Sequence, residues 1–193
     1  LGEMGNIKAV TILLKKMDDS PTPLRNKIVM AIVKILGGKS LTLLSPKERE
    51  KFREYLLIAL EDEDQEVQDS AILGLGYVGG GAASLAILGL ASGLNPDTDV
   101  DRLELALDSL SHIGVTSELE NAIRGDDAEM TSMAVTAAMR MKDARAAAVL
   151  IEVFESKDRD LRRDISKALV DIGGDESKDF FMNIIQNGER DSD

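Results

Sequence analysis

His112 is the only histidine in the chain and the one side chain suited to acid–base chemistry at neutral pH. The sequence places no serine or acidic residue beside it in a catalytic pattern. The chain has no cysteine, which removes thiolate nucleophiles and thiolate metal ligands, and one histidine cannot make a multi-histidine metal site. We therefore expect a protein that is not an enzyme and that carries no catalytic residue, cofactor or metal.

Alternating carboxylates after a turn form the other pattern with chemical content. Asp97, Asp99 and Asp101 are spaced like the first ligands of a calcium loop, and Asp108 falls at the twelfth place. Arg102 occupies the sixth place, where such a loop needs glycine for its sharp turn. The simpler interpretation is that these carboxylates cap a helix.

A five-residue phrase recurs along the whole chain and usually ends in glycine. Its six closing positions are spaced 28 to 42 residues apart, with a mean of about 34, which is the length of a repeat made of two helices. The closing residues are Gly5, Gly37, Gly79, Gly114, Lys142 and Gly173. Glycine at these places suits the left-handed residue that ends a helix.

Helical periodicity surrounds each phrase. Apolar residues at steps of four, four and three precede it, as in Leu161, Ile165, Leu169 and Ile172, and a second amphipathic run follows it. The segment Ser45–Glu48 is typical of a capping box with proline in the first helical turn. Since no alternating strand pattern competes, each repeat is predicted to be helix, glycine turn, helix, and the fold all-α.

The phrase and its flanks resemble the HEAT-like repeats of the phycobilin-lyase type, most closely over 1–14 and 66–78. The resemblance implies an α-α superhelix of the armadillo-like kind, a solenoid of about six helix-pair repeats of which the first is incomplete. Lys142 departs from the expected glycine, and Arg25 and Arg102 depart from an expected apolar residue. An insertion of about eight residues around 40–45 predicts a longer loop.

The boundaries follow from the same register. We expect a single HEAT-like repeat domain over 1–188, in which Asn187 and Gly188 end the last helix, and an acidic tail over 189–193. Leu1 falls at the end of a first helix, so we expect the chain to be the C-terminal part of a longer protein. No signal segment and no long uncharged apolar stretch is present, which predicts a cytoplasmic protein without membrane contact.

The net charge of −12 is concentrated in the middle of the chain. Residues 63–129 hold 14 acidic and 2 basic side chains, whereas 1–62 have a net charge of +3 and 130–193 of −3. In a stack of repeats such an excess becomes a continuous patch that attracts a basic partner segment. The alternative is that these acidic residues only cap helices and keep the protein soluble.

The predicted function is a non-catalytic scaffold that binds a basic or amphipathic segment of a protein partner. In this family the concave face, lined by the exposed side of each second helix, is the usual binding surface. The register also places Tyr77, His112 and Arg140 in one row, although a lone histidine there is more often a surface or packing residue. The candidate partner-binding residues are Tyr77, His112, Glu118, Glu120, Asn121, Arg124, Asp127, Arg140, Arg145 and Glu152.

Three alternatives follow from the resemblance. A bilin lyase-like enzyme subunit stays open, because its residues are not diagnostic. Deoxyhypusine hydroxylases share the fold but bind iron through His-Glu pairs, and here His112 is followed by Ile113. HEAT-like alkyl-DNA glycosylases use a basic concave face and tryptophan, whereas this chain is acidic and has none, so we expect no nucleic-acid binding.

Overall fold

The computed structural model describes the backbone of residues 2–37 and 44–190 and the side chains of residues 8–37 and 44–186. Over these ranges the chain forms eleven α-helices and one short 3-10 helix, with no strand. The helices are α1 (Gly2–Met17), α2 (Thr22–Leu36), α3 (Pro46–Ala59), α4 (Gln65–Val78), α5 (Gly81–Ser92), α6 (Val100–Ile113), α7 (Ser117–Arg124), α8 (Ala128–Met141), α9 (Ala144–Val153), α10 (Arg159–Ile172) and α11 (Gly174–Arg190). Most of the predicted insertion around 40–45 lies outside the described residues.

Side-chain caps begin several helices, and the sequence predicts the first of them, at the start of α3. The Ser45 Oγ accepts from the Glu48 N–H at 3.3 Å, and the Glu48 Oε2 accepts from the Ser45 N–H at 3.0 Å, which confirms the capping box before α3. Asp64, Asp127 and Asp158 cap α4, α8 and α10, each through a carboxylate oxygen 2.9 Å from a backbone nitrogen.

The phrase ends a helix at five of its six predicted positions. Gly37, Gly79, Gly114 and Gly173 follow α2, α4, α6 and α10 with positive φ, and each N–H donates to the carbonyl four residues earlier. Lys142 follows α8 with φ 51°, and it is the only non-glycine residue with positive φ in the described ranges. The predicted helix end is therefore present at Lys142 even though its glycine is missing.

Two predicted helix ends are wrong. Gly5 lies inside α1, which runs without a break from Gly2 to Met17. Gly188 lies inside α11, which continues to Arg190, so the predicted tail over 189–193 begins as helix and its last three residues lie outside the described part. Glycine permits a left-handed residue but does not impose one, and a helix tolerates it at a cost of about 1 kcal/mol.

Replacing Lys142 with glycine is expected to raise the free energy of unfolding by about 0.5–1 kcal/mol. Glycine removes the strain of the left-handed conformation, and this gain exceeds the cost of the larger entropy that glycine has in the unfolded chain. Urea unfolding followed by circular dichroism measures the change. The control is Lys142→Ala, which keeps a Cβ in the same conformation and is expected to give no gain. Equal stabilisation by both variants would show that loss of the lysine charge is responsible.

Helices with even numbers contact one another in chain order, and so do the helices with odd numbers. Neighbours within the even set run in the same direction: Arg102 near the start of α6 pairs with Asp69 near the start of α4, and Gly76 near the end of α4 packs on Ser109 near the end of α6. Most helices also pack against their neighbours in sequence. This all-α arrangement is consistent with a helical repeat fold.

One hydrophobic core runs through the stack, from Val10 in α1 to Leu169 in α10. Phe52, Ile72 and Leu110 are among its fully buried side chains. Because helices pack on helices close to them in the chain, the exposed residues of neighbouring helices lie on a shared surface. The exposed residues of this surface are the candidates for a functional site.

Candidate functional site

The starts of α4 and α6 lie side by side, and so do the starts of α8 and α10; these four helix starts are here together called the acidic edge. Contacts between helix starts establish the neighbours: Asn26 of α2 donates to Asp62 before α4, Arg102 of α6 pairs with Asp69 of α4, and Ala128 of α8 and Asp158 before α10 line one small cavity. The carboxylates of the acidic edge are Asp62, Glu63, Asp64, Glu66, Asp97, Asp99, Asp101, Asp126, Asp127, Glu129, Asp158 and Asp160.

Only some of these carboxylates are used by the fold. Asp64, Asp127 and Asp158 are helix caps, as described above, and the Asp99 Oδ2 accepts from the Asn95 N–H at 2.9 Å. Glu63, Asp101 and Asp126 are exposed and make no hydrogen bond or ion pair with the described residues. The acidic edge therefore combines structural caps with carboxylates that are available to a ligand.

Of the four aspartates compared above with a calcium loop, only Asp99 and Asp108 use their carboxylates within the described part of the fold, and the Asp99 side chain does not cap α6. The Asn95 Oδ1 accepts from the Asp97 N–H at 2.9 Å, and Asp99 closes the same turn. Asp108 lies two turns into α6, where its carboxylate binds Arg140. Over the ranges that the structure describes, no three histidine or acidic side chains are grouped so that they could hold a metal ion.

The exposed residues of the odd-numbered helices form a second surface, here called the odd-helix face. Its members are Lys47, Glu54 and Ile58 of α3, Ala82, Leu85 and Gly89 of α5, Asn121 and Arg124 of α7, and Arg145 and Glu152 of α9. Helix α5 has no charged residue, and its Leu85 is 50% exposed. On the neighbouring helix α3, Ile58 is 48% exposed. The middle of this face is therefore uncharged and partly apolar.

Arg124 ties α7 to α9 on the odd-helix face. Its Nε lies 3.0 Å from the Glu152 Oε1 and its Nη2 2.9 Å from the Glu152 Oε2, while its Nη1 lies 3.2 Å from the Glu120 Oε2. The hydrogen bond from Arg124 holds the pKa of Glu152 below its usual range. The structure thus brings together three predicted partner-binding residues, Glu120, Arg124 and Glu152, but their charged groups pair with one another. Arg145 pairs with Asp143 at 2.7 Å.

The predicted row of Tyr77, His112 and Arg140 is not joined by hydrogen bonds or ion pairs within the described ranges. Arg140 binds α6 instead, with Nη1 2.9 Å from the Asp108 Oδ1 and Nη2 2.5 Å from the Glu104 Oε1. His112 is exposed, and its Nδ1 lies 2.8 Å from the Asp108 carbonyl of its own helix. Tyr77 is partly buried against the core. In the described ranges no hydrogen bond links these three side chains.

Two other predicted residues support helix starts. The Glu118 carboxylate packs so closely on Gly81, the first residue of α5, that a Cβ at that position would overlap it. A negative charge there stabilises the positive end of the helix dipole. Asp127 caps α8 and Asn121 is exposed on α7. Glu118 and Asp127 therefore act within the fold, whereas Asn121 faces solvent.

Sequence reasoning missed Ile58 and Leu85 as exposed apolar residues. The signal was present for Leu85, because it lies between Ala82 and Gly89 at helical spacing on a helix without charge.

None of the helices over the described ranges is long and apolar enough to span a bilayer.

Comparison with protein-family models gave no match, and comparison with curated proteins gave none either. The chain is similar in structure to two crystal structures of engineered proteins from the Northeast Structural Genomics Consortium. The first is 18% identical with a TM-score of 0.42, over 85% of this chain and 79% of that one. The second is 19% identical with a TM-score of 0.38, and the match covers 94% of this chain and 63% of that chain.

Proposed function

We propose that the chain is a HEAT-like solenoid that serves as an interaction scaffold. It binds a basic amphipathic segment of a partner protein, with apolar side chains of the segment on Ile58 and Leu85 and its basic side chains on the acidic edge. The observation that carries the proposal is that an uncharged, partly apolar helix surface adjoins a row of carboxylates.

The connections between helices explain why the two surfaces adjoin. Helix α3 ends at Ala59, just before Asp62, and α5 ends at Ser92, shortly before Asp97. Helix α7 ends at Arg124, and Asp126 follows. Each odd-numbered helix therefore leads to the acidic edge, so a segment lying across α3 and α5 meets apolar side chains first and carboxylates at the helix ends.

The two surfaces contribute in different ways. Burial of exposed apolar area contributes about 25 cal/mol per Å², and an array that is already ordered loses little entropy on binding. Carboxylates at the rim mainly attract the basic segment and orient it, and this attraction weakens as salt is added. The proposal therefore requires both an apolar and a salt-dependent component of affinity.

The test uses a labelled amphipathic peptide of leucine and lysine, with binding measured by fluorescence anisotropy. A triple variant, Glu63→Gln, Asp101→Asn and Asp126→Asn, is expected to weaken binding about ten-fold at low salt, because three rim charges are lost. Leu85→Ser is expected to weaken it about five-fold at any salt concentration, because apolar burial is lost. Circular dichroism should show unchanged helicity, since none of these residues caps a helix or makes an ion pair within the described ranges.

The matched control removes the same charges elsewhere, with Asp171→Asn, Asp179→Asn and Glu176→Gln at the end of α10 and in α11. Its affinity is expected to stay within about two-fold of the native value, because these residues lie away from the acidic edge. Equal losses in the two triple variants would contradict the proposal. Tight binding of bilin with a shift of its absorbance, and none of the peptide, would favour a lyase-type subunit instead.

A further inference from the structure

A cavity of about 390 Å³ lies at one end of the acidic edge, between the starts of α2 and α4. Three carboxylates line it, from Asp62, Asp64 and Glu66. Its size falls at the lower end of the range for small-ligand sites.

A buried amide with an unused oxygen lies in the wall of this cavity. Asn26 is 3% exposed, and its Nδ2 donates to the Asp62 carboxylate. Because a carboxylate can only accept, this contact fixes which end of the amide is the nitrogen. The Asn26 Oδ1 has no hydrogen-bond partner among the described residues. A buried carbonyl without a donor destabilises the fold, so a donor that enters the cavity recovers that cost.

The carboxylates differ in how much capacity they have left. Both Asp62 oxygens are used, by the Asn26 amide and by the Asp64 N–H at 2.8 Å. The Asp64 Oδ1 caps α4 through the Glu66 N–H, but its Oδ2 and the whole Glu66 carboxylate make no hydrogen bond with described residues. Two charged acceptors and one amide oxygen therefore remain for a ligand.

We propose that this cavity binds a primary ammonium group, as at the end of a lysine side chain. An ammonium has three donors, which matches the three acceptors left by Asn26, Asp64 and Glu66, whereas a guanidinium needs a planar pair. Pro23, Met30 and Val67 also line the cavity and suit the methylene stem of lysine.

Lys27 also lines the cavity, but its side chain is exposed. One lysine charge does not balance the three carboxylates of Asp62, Asp64 and Glu66, so the lining keeps a net negative charge. This inference rests on the proposed function. It adds that a lysine ammonium group of the partner binds in the cavity at the acidic edge. The probe below is a single lysine side chain, so this site can fail while the odd-helix face still binds its peptide.

The experiment titrates the whole chain with Nα-acetyl-lysine N-methylamide and follows the side-chain amide signal of Asn26 by NMR. A saturable shift with a Kd on the order of 1 mM is expected for one charged group held by a few hydrogen bonds. The Nε-acetylated analogue, which has no charge, is expected to give no saturable shift. Tighter binding of the arginine analogue than of the lysine analogue would overturn the ammonium assignment.

The variant Asp64→Asn with Glu66→Gln is expected to weaken lysine binding about ten-fold, because both charged acceptors are lost. Asparagine caps helices as well as aspartate does, so the fold is expected to persist. Asp127→Asn with Glu129→Gln makes the same changes at the same two positions of α8 and is expected to leave binding unchanged. Equal affinity in both double variants, or no saturable shift in the native chain, would overturn the proposal.

Discussion

Replacing Gly76 with valine is expected to lower the free energy of unfolding by about 3 kcal/mol. A Cβ on Gly76 would lie 2.9 Å from the Ser109 Cβ and 3.0 Å from its Cα. The second of these atoms belongs to the backbone of α6, so the conflict cannot be relieved by turning a side chain. Helices α4 and α6 must separate, and overpacking of this kind costs about 1–3 kcal/mol even for small additions. Urea unfolding measures the loss.

Gly89→Ala is the control for the Gly76 variant, because Gly89 is exposed in α5 and its nearest neighbour is the Met130 Cε at 3.9 Å from an added Cβ. There the gain in helix propensity, up to about 1 kcal/mol, is expected to prevail. Similar unfolding energies for Gly76→Val and the native chain would show that the two helices are not closely packed. The spacing also matters for function, since α4 and α6 carry two of the aligned starts of the acidic edge.

Phe52→Ala is expected to lower the free energy of unfolding by about 4 kcal/mol, because a large aromatic ring is removed and the cavity left behind is only partly filled. Phe52 is 1% exposed and is among the largest fully buried side chains of the core. Thermal and urea unfolding measure the change.

The control for the core prediction is Leu85→Ala. Half of the Leu85 side chain is already exposed, so its truncation is expected to cost less than about 1 kcal/mol. If Phe52→Ala and Leu85→Ala lower the free energy of unfolding by the same amount, the stability of the core does not depend on Phe52. The comparison also shows whether loss of peptide binding in a Leu85 variant reflects the odd-helix face rather than the fold.

The local parts of the fold were predictable because their causes lie within a few residues. The capping box at Ser45 and Glu48 and the helix ends with positive φ at Gly79 and Gly114 are decided by neighbouring backbone groups. The failures at Gly5 and Gly188 have the same origin. A glycine only permits a helix to end, and packing decides whether it does.

The candidate site depended on contacts between distant residues. Arg124 and Glu152 are 28 positions apart, and the sequence placed both on a binding surface without showing that they pair. Arg140 was expected in a row with His112, but two carboxylates of α6 hold it. Such choices are made by geometry across helices, where each charged group takes the partner within reach.

Periodicity, caps and composition are local properties, so the amino-acid sequence was enough to predict an all-α chain, the ends of five helices, the capped start of α3 and the acidic excess in residues 63–129. Packing between distant segments is what brings the acidic starts of α4 and α6 together, and likewise those of α8 and α10, and it makes Asn26 meet Asp62 across 36 residues. Same-direction packing of the even-numbered helices is the physical reason, since it turns a periodic sequence feature into surfaces that neighbouring helices share.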